Sequence, residues 1–302
     1  MDHHLDLDRS DKVGLAIGLT VRPDGRLVDT WLGADARPNG TALELLHRIS
    51  SGRPVTLSEL AGAMTDQYGL SEECAYGDAR ALMTKLDQNA QIEVHRPMSI
   101  WLSPAALWVD LKNLAKLQVP ARPARRYPLT VGGVAAAAWR QSRLPLLVLA
   151  LGSVLLTLLL LVQLPEPAPT DTAVRSGLVP LTIAAVHAAL LAAHEVGHVV
   201  ALRVSGSGLG LVAVRGMRMG VVYPLGATRR PRLTAAAGPV TAAIASLPMG
   251  VFGRSYGELP LEVLALAPVL GLAHLATLGR WSSDGRVIWR RHSCTATEEE
   301  AS

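Results

Sequence analysis

Residues 144 to 164 read LPLLVLALGSVLLTLLLLVQL, 21 positions without a charge. That stretch leaves the chain few options. As a helix it extends about 31 Å, the thickness of a bilayer's hydrocarbon core, and only helices and closed barrels satisfy their backbone hydrogen bonds there. Three further segments repeat the pattern: Leu178 to Leu202, Leu233 to Gly253, and Leu259 to Gly279, the last with Glu262 as its one charge. We therefore expect an α-helical polytopic membrane protein with about four transmembrane helices. Composition points the same way, since 49% of residues are hydrophobic and 18% charged, against about 25% charge in ordinary globular domains. A disordered chain is excluded on the same ground.

Basic residues set the expected orientation. Residues 112–143, 203–232 and 280–292 carry 7, 6 and 4 Lys or Arg, whereas the alternate loops at 165–177 and 254–258 carry one each. The positive-inside rule then places both termini in the cytoplasm. The opening MDHHLDLDRSDK is acidic and lacks the basic and apolar regions of a secretory signal. Cys74 and Cys294, far apart in sequence, suggest neither a disulfide framework nor a Cys-built zinc site.

The net charge of +4 conceals two opposite halves. Residues 1–98 hold 10 basic and 15 acidic side chains, and the remainder holds 19 and 10. The acidic part reads as a small α+β unit. Val13 to Val21 and Leu27 to Leu32 flank the turn signal Pro23-Asp24-Gly25, which predicts a hairpin. A helix with Leu43, Leu45, Leu46 and Ile49 ends at Gly52, and Thr56 with Glu59 forms a capping-box pattern ahead of Leu57, Leu60 and Met64. A third helix is expected over 72–88 and a short wing strand over 91–95. Hairpin, three helices and wing make a winged helix-turn-helix. Affinity for DNA draws on neutralised phosphates, so a domain of charge −5 is a poor nucleic-acid binder.

The order GRLVDTWLG, helix, SGRPVTLSELAGAMTDQYGLS and a last long helix resembles the small PqqD-like domains that bind leader peptides in ribosomal-peptide maturation enzymes. The resemblance covers about residues 12–96. It implies an extended leader peptide that adds to a hairpin edge and lies along the third helix. A domain that only folds and dimerises is the alternative. Beyond it, Pro104 to Leu117 is amphipathic, with Leu107, Trp108, Leu111 and Leu114 on one face, and fits an interfacial helix beside the bilayer or one docked on the winged helix. Residues 118–128, QVPARPARRYP, read as a stiff basic linker.

The chemistry lies in the second apolar segment, AAVHAALLAAHEVGHVVALRV. His194 and His198 are one helical turn apart, so both imidazoles leave one face and can share a metal, with Glu195 beside them as a base. Ionisable residues inside a membrane helix cost roughly 3 kcal/mol each on insertion scales, so three within five positions call for a shared purpose. A catalytic zinc takes three protein ligands and keeps a position for water. Candidates for the third ligand are His187, His274, Asp284 and His292. His187 shares the face of His194 but sits about 10 Å along the axis, too far for the same metal. Asp284 lies at the expected cytosolic end of the fourth segment, the depth that His198 approaches in the second.

HEVGH in a membrane helix, then AAAGP (Ala235 to Pro239), then Asp284-Gly285, resembles the site-2 protease family of intramembrane zinc metalloproteases over about residues 144–290. The resemblance implies Zn2+ bound by His194, His198 and Asp284, with Glu195 activating water. It also implies that SGSGLGLVAVRGMRMGVVYPLG, 205–226, forms a membrane-edge hairpin that pairs with substrate. Two departures stand out. Ala242 occupies a position where the family often has Asn, and Ala276 to Gly279 replaces its Asn-Leu-x-Pro stretch. Transition-state stabilisation then falls to the metal, to backbone donors, or to a side chain such as His274, for which a helix-packing hydrogen bond is the alternative role.

The expected organisation is a cytosolic winged-helix recognition domain at 1–98, an amphipathic helix and basic linker at 99–143, an intramembrane zinc metalloprotease domain at 144–292, and an acidic disordered tail at 293–302. Joined, these parts suggest an enzyme that captures a ribosomally made peptide precursor and cleaves its leader, with a core that could be apolar and helical as in daptide-like peptides. Regulated proteolysis of a signalling protein, and a non-catalytic membrane binding or immunity module, are the competing readings.

Overall fold

The computed structural model describes residues 7–95, 123–163, 170–215, 218–224, 226–256 and 261–289. They fall into two compact units, one drawn from Met1–Gln141 and Gly208–Ala227, the other from Ser142–Ser207 and Thr228–Ser302.

In the first unit the order is β1 (Lys12–Leu15), β2 (Leu19–Val21), β3 (Leu27–Asp29), β4 (Ala34–Ala36), α1 (Gly40–Ser50), β5 (Val55–Thr56), α2 (Leu57–Tyr68), α3 (Glu72–Gln88) and β6 (Ile92–His95). The expected capping box starts α2. The Thr56 hydroxyl accepts from the Glu59 amide at 3.1 Å while the Glu59 carboxylate accepts from the Thr56 amide at 2.7 Å. Apolar faces of the three helices close over β1 and β6, burying Val13, Leu46, Ile49, Leu57, Leu60, Met83 and Ile92.

The hairpin read in the sequence is present, but it takes only the second part of the run from Val13 to Val21. The turn at Pro23-Asp24-Gly25 joins β2 to β3, with Thr20 opposite Val28, and β4 completes that sheet. β1 instead lies between β5 and β6, with Val13 opposite both Val55 and Val94. Gly18 explains the split. Its φ of +84° turns the chain, the Leu19 amide donates to the Ala16 carbonyl at 3.1 Å, and the Trp31 ring occupies the space that a Cβ at residue 18 would need. The apolar run from Val13 to Val21 therefore serves two sheets.

A third antiparallel sheet, ordered β7–β8–β9, joins β7 (Arg125–Pro128), β8 (Leu211–Arg215) and β9 (Arg218–Val222). Part of the expected linker is thus a strand, and the 205–226 region does contain a hairpin. This sheet belongs to the first unit. Arg126 donates from Nη2 to Asp29 at 2.5 Å with its guanidinium over Trp31, and Arg125 pairs with Glu93. Main-chain bonds add to this: Ala124 N–H donates to Asp87 at 2.9 Å, and Gly210 N–H donates to the Trp31 carbonyl at 2.7 Å.

The remaining elements are helical. α4 (Val131–Gln163) starts earlier than the charge-free stretch suggested, and its residues up to Gln141 belong to the first unit. α5 (Thr170–Val204) and α6 (Pro231–Tyr256) follow, then a 3-10 turn (Leu261–Leu266), α7 (Ala267–Leu275), a second 3-10 turn (Ala276–Leu278) and α8 (Ser283–Trp289). Among the described residues, two helices, Val174–Val204 and Pro231–Ser255, are long and apolar enough to cross a membrane. The number rises to four if each bent pair, Val131–Ser142 with Leu146–Val162 and Val263–Leu278 with Ser283–Trp289, is one span. Exposed Leu151, Leu155, Leu158 and Val162 line α4 as lipid-facing side chains would. The Pro104 to Leu117 helix, His292, Cys294 and the 293–302 tail lie outside the described residues.

Candidate metal centre

α5 and α6 pack along their length, and the segment from Val263 to Trp289 closes over them. Val186 and Leu190 of α5 meet Ala267 of α7 in an apolar layer. Beside that layer are three ionisable side chains of α5. His194, Glu195 and His198 are 6%, 4% and 6% exposed, so all three have left solvent. The i, i+4 spacing puts the two imidazoles on one face, with ring centroids 4.9 Å apart.

Asp284, in the first turn of α8, reaches the same point. Its Oδ2 lies 3.2 Å from His194 Nε2 and 3.6 Å from His198 Nε2, and the two Nε2 atoms are 3.2 Å apart. Three potential ligand atoms form a nearly equilateral triangle. Ligands about 2.05 Å from a tetrahedral zinc stand about 3.3–3.4 Å from one another, so the triangle has the edge length of that polyhedron.

Hydrogen bonds around the triangle orient it. His198 Nδ1 lies 2.7 Å from the Thr234 carbonyl. A carbonyl only accepts, so Nδ1 carries a proton and, in the neutral ring, Nε2 directs a lone pair toward His194 and Asp284. Lone pairs facing one another at these distances repel unless a proton or a cation lies between them. Two imidazoles and a carboxylate are the donor set that borderline divalent metals such as zinc prefer.

Glycines make the closeness possible. A Cβ on Gly238 of α6 would overlap the His198 ring at Nε2, and one on Gly285 would overlap the Gly279 carbonyl next to Asp284. The glycines of AAAGP and of Asp284-Gly285 thus have a spatial reason. Ala242, where a polar residue was looked for, is fully buried, and its carbonyl lies 3.3 Å from the Cβ position of Gly271 on α7.

Of the other third-ligand candidates, His187 is exposed and stacks on His274 at 6.4 Å between ring centroids. His274 points its Nδ1 at His194 Nδ1, 3.2 Å away. It therefore adjoins the donor triangle from behind. Thr234 and Gly238 join the site from α6. A lone threonine gives no signal, whereas Gly238 had one in its motif. The chain matches no protein-family model, no curated protein and no solved structure.

Proposed function

We propose that this chain is an intramembrane zinc metallopeptidase that binds the leader of a ribosomally synthesised peptide precursor and severs it from the core. The observation that carries the reading is the triangle of His194 Nε2, His198 Nε2 and Asp284 Oδ2, with edges of 3.2 to 3.6 Å, in a helical unit apolar enough for a membrane. In this reading both termini face the cytoplasm, where the acidic N-terminal unit meets its substrate.

His194, His198 and Asp284 would hold the ion. A bound zinc supplies a Lewis acid that brings water toward neutral pKa and polarises the scissile carbonyl. Glu195, next to His194 on α5, takes the proton of the attacking water and delivers it to the leaving amine as the C–N bond breaks. The peptide bond is replaced by a carboxyl and an amine, and one water is consumed. His198 keeps its orientation through Thr234, and Asp284 closes the donor set from α8. The N-terminal unit raises the local concentration of leader-bearing substrate, because a tethered site converts the second encounter into an intramolecular one.

Co-expression of wild type and Glu195→Gln with a short precursor encoded nearby tests the reading by mass spectrometry. The expected result is cleavage by wild type and a rate lower by about 10²–10⁴ for Glu195→Gln, the usual worth of a positioned acid–base group. Equal amounts of uncut precursor in both would overturn it for that substrate. Leader recognition is read separately, from binding of the Glu195→Gln full chain to precursor with and without its leader. Equal binding of the two would leave the N-terminal unit without that role.

A further inference from the structure

Among the described residues, the His274 ring meets a proposed ligand from outside the donor triangle. It stands in the penultimate position of α7, with the Thr277 hydroxyl donating to its carbonyl at 2.6 Å. Its ring lies against His194 at 5.2 Å and against His187 at 6.4 Å between centroids. His187 and His194 are two turns apart on one face of α5, and His274 fits between them. The close polar contact is Nδ1 to Nδ1, 3.2 Å, so one of these nitrogens donates and the other accepts.

His194 Nε2 faces His198 and Asp284. A neutral imidazole that offers Nε2 to a metal keeps its proton on Nδ1. We propose that His274 is a positioning residue that accepts the His194 Nδ1–H, fixing the tautomer and ring angle with which His194 presents Nε2. The inference rests on the zinc reading above. It sets His194 beside His198, whose Nδ1–H goes to the Thr234 carbonyl. The two ligands differ in one respect: a carbonyl dictates the tautomer of His198, while His194 and His274 set theirs together, with the His274 proton on Nε2. His274 also ties α5 to the segment that continues into α8, so the same contact supports the placement of Asp284.

Outer-sphere partners of metal-binding histidines are typically worth 10–100-fold in metal affinity. The test uses the purified full chain in detergent and reads zinc affinity by chelator competition, with the visible spectrum of the Co2+-substituted protein as a second readout. His274→Phe keeps a ring and removes the acceptor, and affinity should fall by about 10–100-fold. His274→Asn returns an acceptor near the position of Nδ1 and should recover most of the loss with a wild-type-like Co2+ spectrum. His274→Gln, with its amide one carbon further out, should not. Wild-type affinity in His274→Phe, or equal losses in the Asn and Gln variants, would overturn the positioning role while leaving the zinc reading intact. Failure of the wild type itself to take up zinc would instead remove the reading on which the role rests.

Discussion

Both units bury ionisable side chains, yet they dispose of the charge in opposite ways. In the first, Arg126 meets Asp29, Arg125 meets Glu93, and a main-chain amide meets Asp87. Every one of these contacts joins a donor to an acceptor, and the result fastens β7 to β3, α3 and β6. In the second, His198 Nε2, His194 Nε2 and Asp284 Oδ2 converge on one point within 3.2 to 3.6 Å of one another. Donor–acceptor contacts hold a chain together. Under the proposed function, the convergent groups would hold a metal ion instead.

That contrast breaks most visibly at the ligands. His194→Ala or Asp284→Ala should reduce zinc in the purified protein from one ion per chain to background by elemental analysis, and should eliminate precursor cleavage. Gly238→Ala is a sharper probe, because it adds a methyl group where His198 Nε2 has its space and leaves every ligand in the sequence. We expect zinc content to fall with helicity by circular dichroism unchanged. Retained zinc in Gly238→Ala would mean that the donor triangle lies elsewhere relative to α6.

A change in the first unit should do the reverse. Removing one partner of a buried pair leaves the other charge uncompensated, at about 3–5 kcal/mol, while replacing both with apolar groups is often neutral. Arg126→Met should therefore destabilise the first unit by about 3–5 kcal/mol, read as lost amide hydrogen-exchange protection in β3 and β7. Arg126→Met with Asp29→Leu should recover much of it. Zinc content should stay at the wild-type value in both, since these residues belong to the ion-paired region.

Most helices of both units were legible because their signals are local, although the expected fourth segment is broken from Leu261 on into two 3-10 turns and α7. A capping box at Thr56 and Glu59 and long runs of Leu and Ala each announce themselves within a few residues. Pairing of His194 with His198 was legible for the same reason, as a period of four. Asp284 needed a second motif and an argument about depth. The turn at Pro23-Asp24-Gly25 was legible, but the partner of β1 was not: nothing within Val13 to Val21 says that its first half pairs with Val94 while its second half pairs with Val28, because both call for the same β-branched and apolar residues. Arg126 read as one more basic linker residue, although its charge is neutralised by Asp29, 97 positions away. His274 is a third-ligand candidate in the sequence, and its contact with His194 is visible only in three dimensions.

The smallest effect concerns the start of α2, where a charge is held in solvent rather than buried. The Glu59 carboxyl lies below its ordinary pKa because the Thr56 amide and hydroxyl both donate to it. A carboxyl whose pKa is depressed on folding adds stability above the unfolded value, near 4.3, and that contribution disappears as pH falls through the folded value. Protection of the Thr56 and Glu59 amides, corrected for intrinsic exchange, should therefore weaken below about pH 4.3 in the wild type and lose that pH dependence in Glu59→Gln. Thr56→Ala removes the cap itself, at about 1 kcal/mol, which is about a fivefold loss of protection confined to the first turn of α2. The proposed zinc site should not respond to either change. If Thr56→Ala also lowered zinc content, the two units would be coupled through more than their connecting chain, and the contrast between ion-paired and convergent charge would no longer describe separate regions.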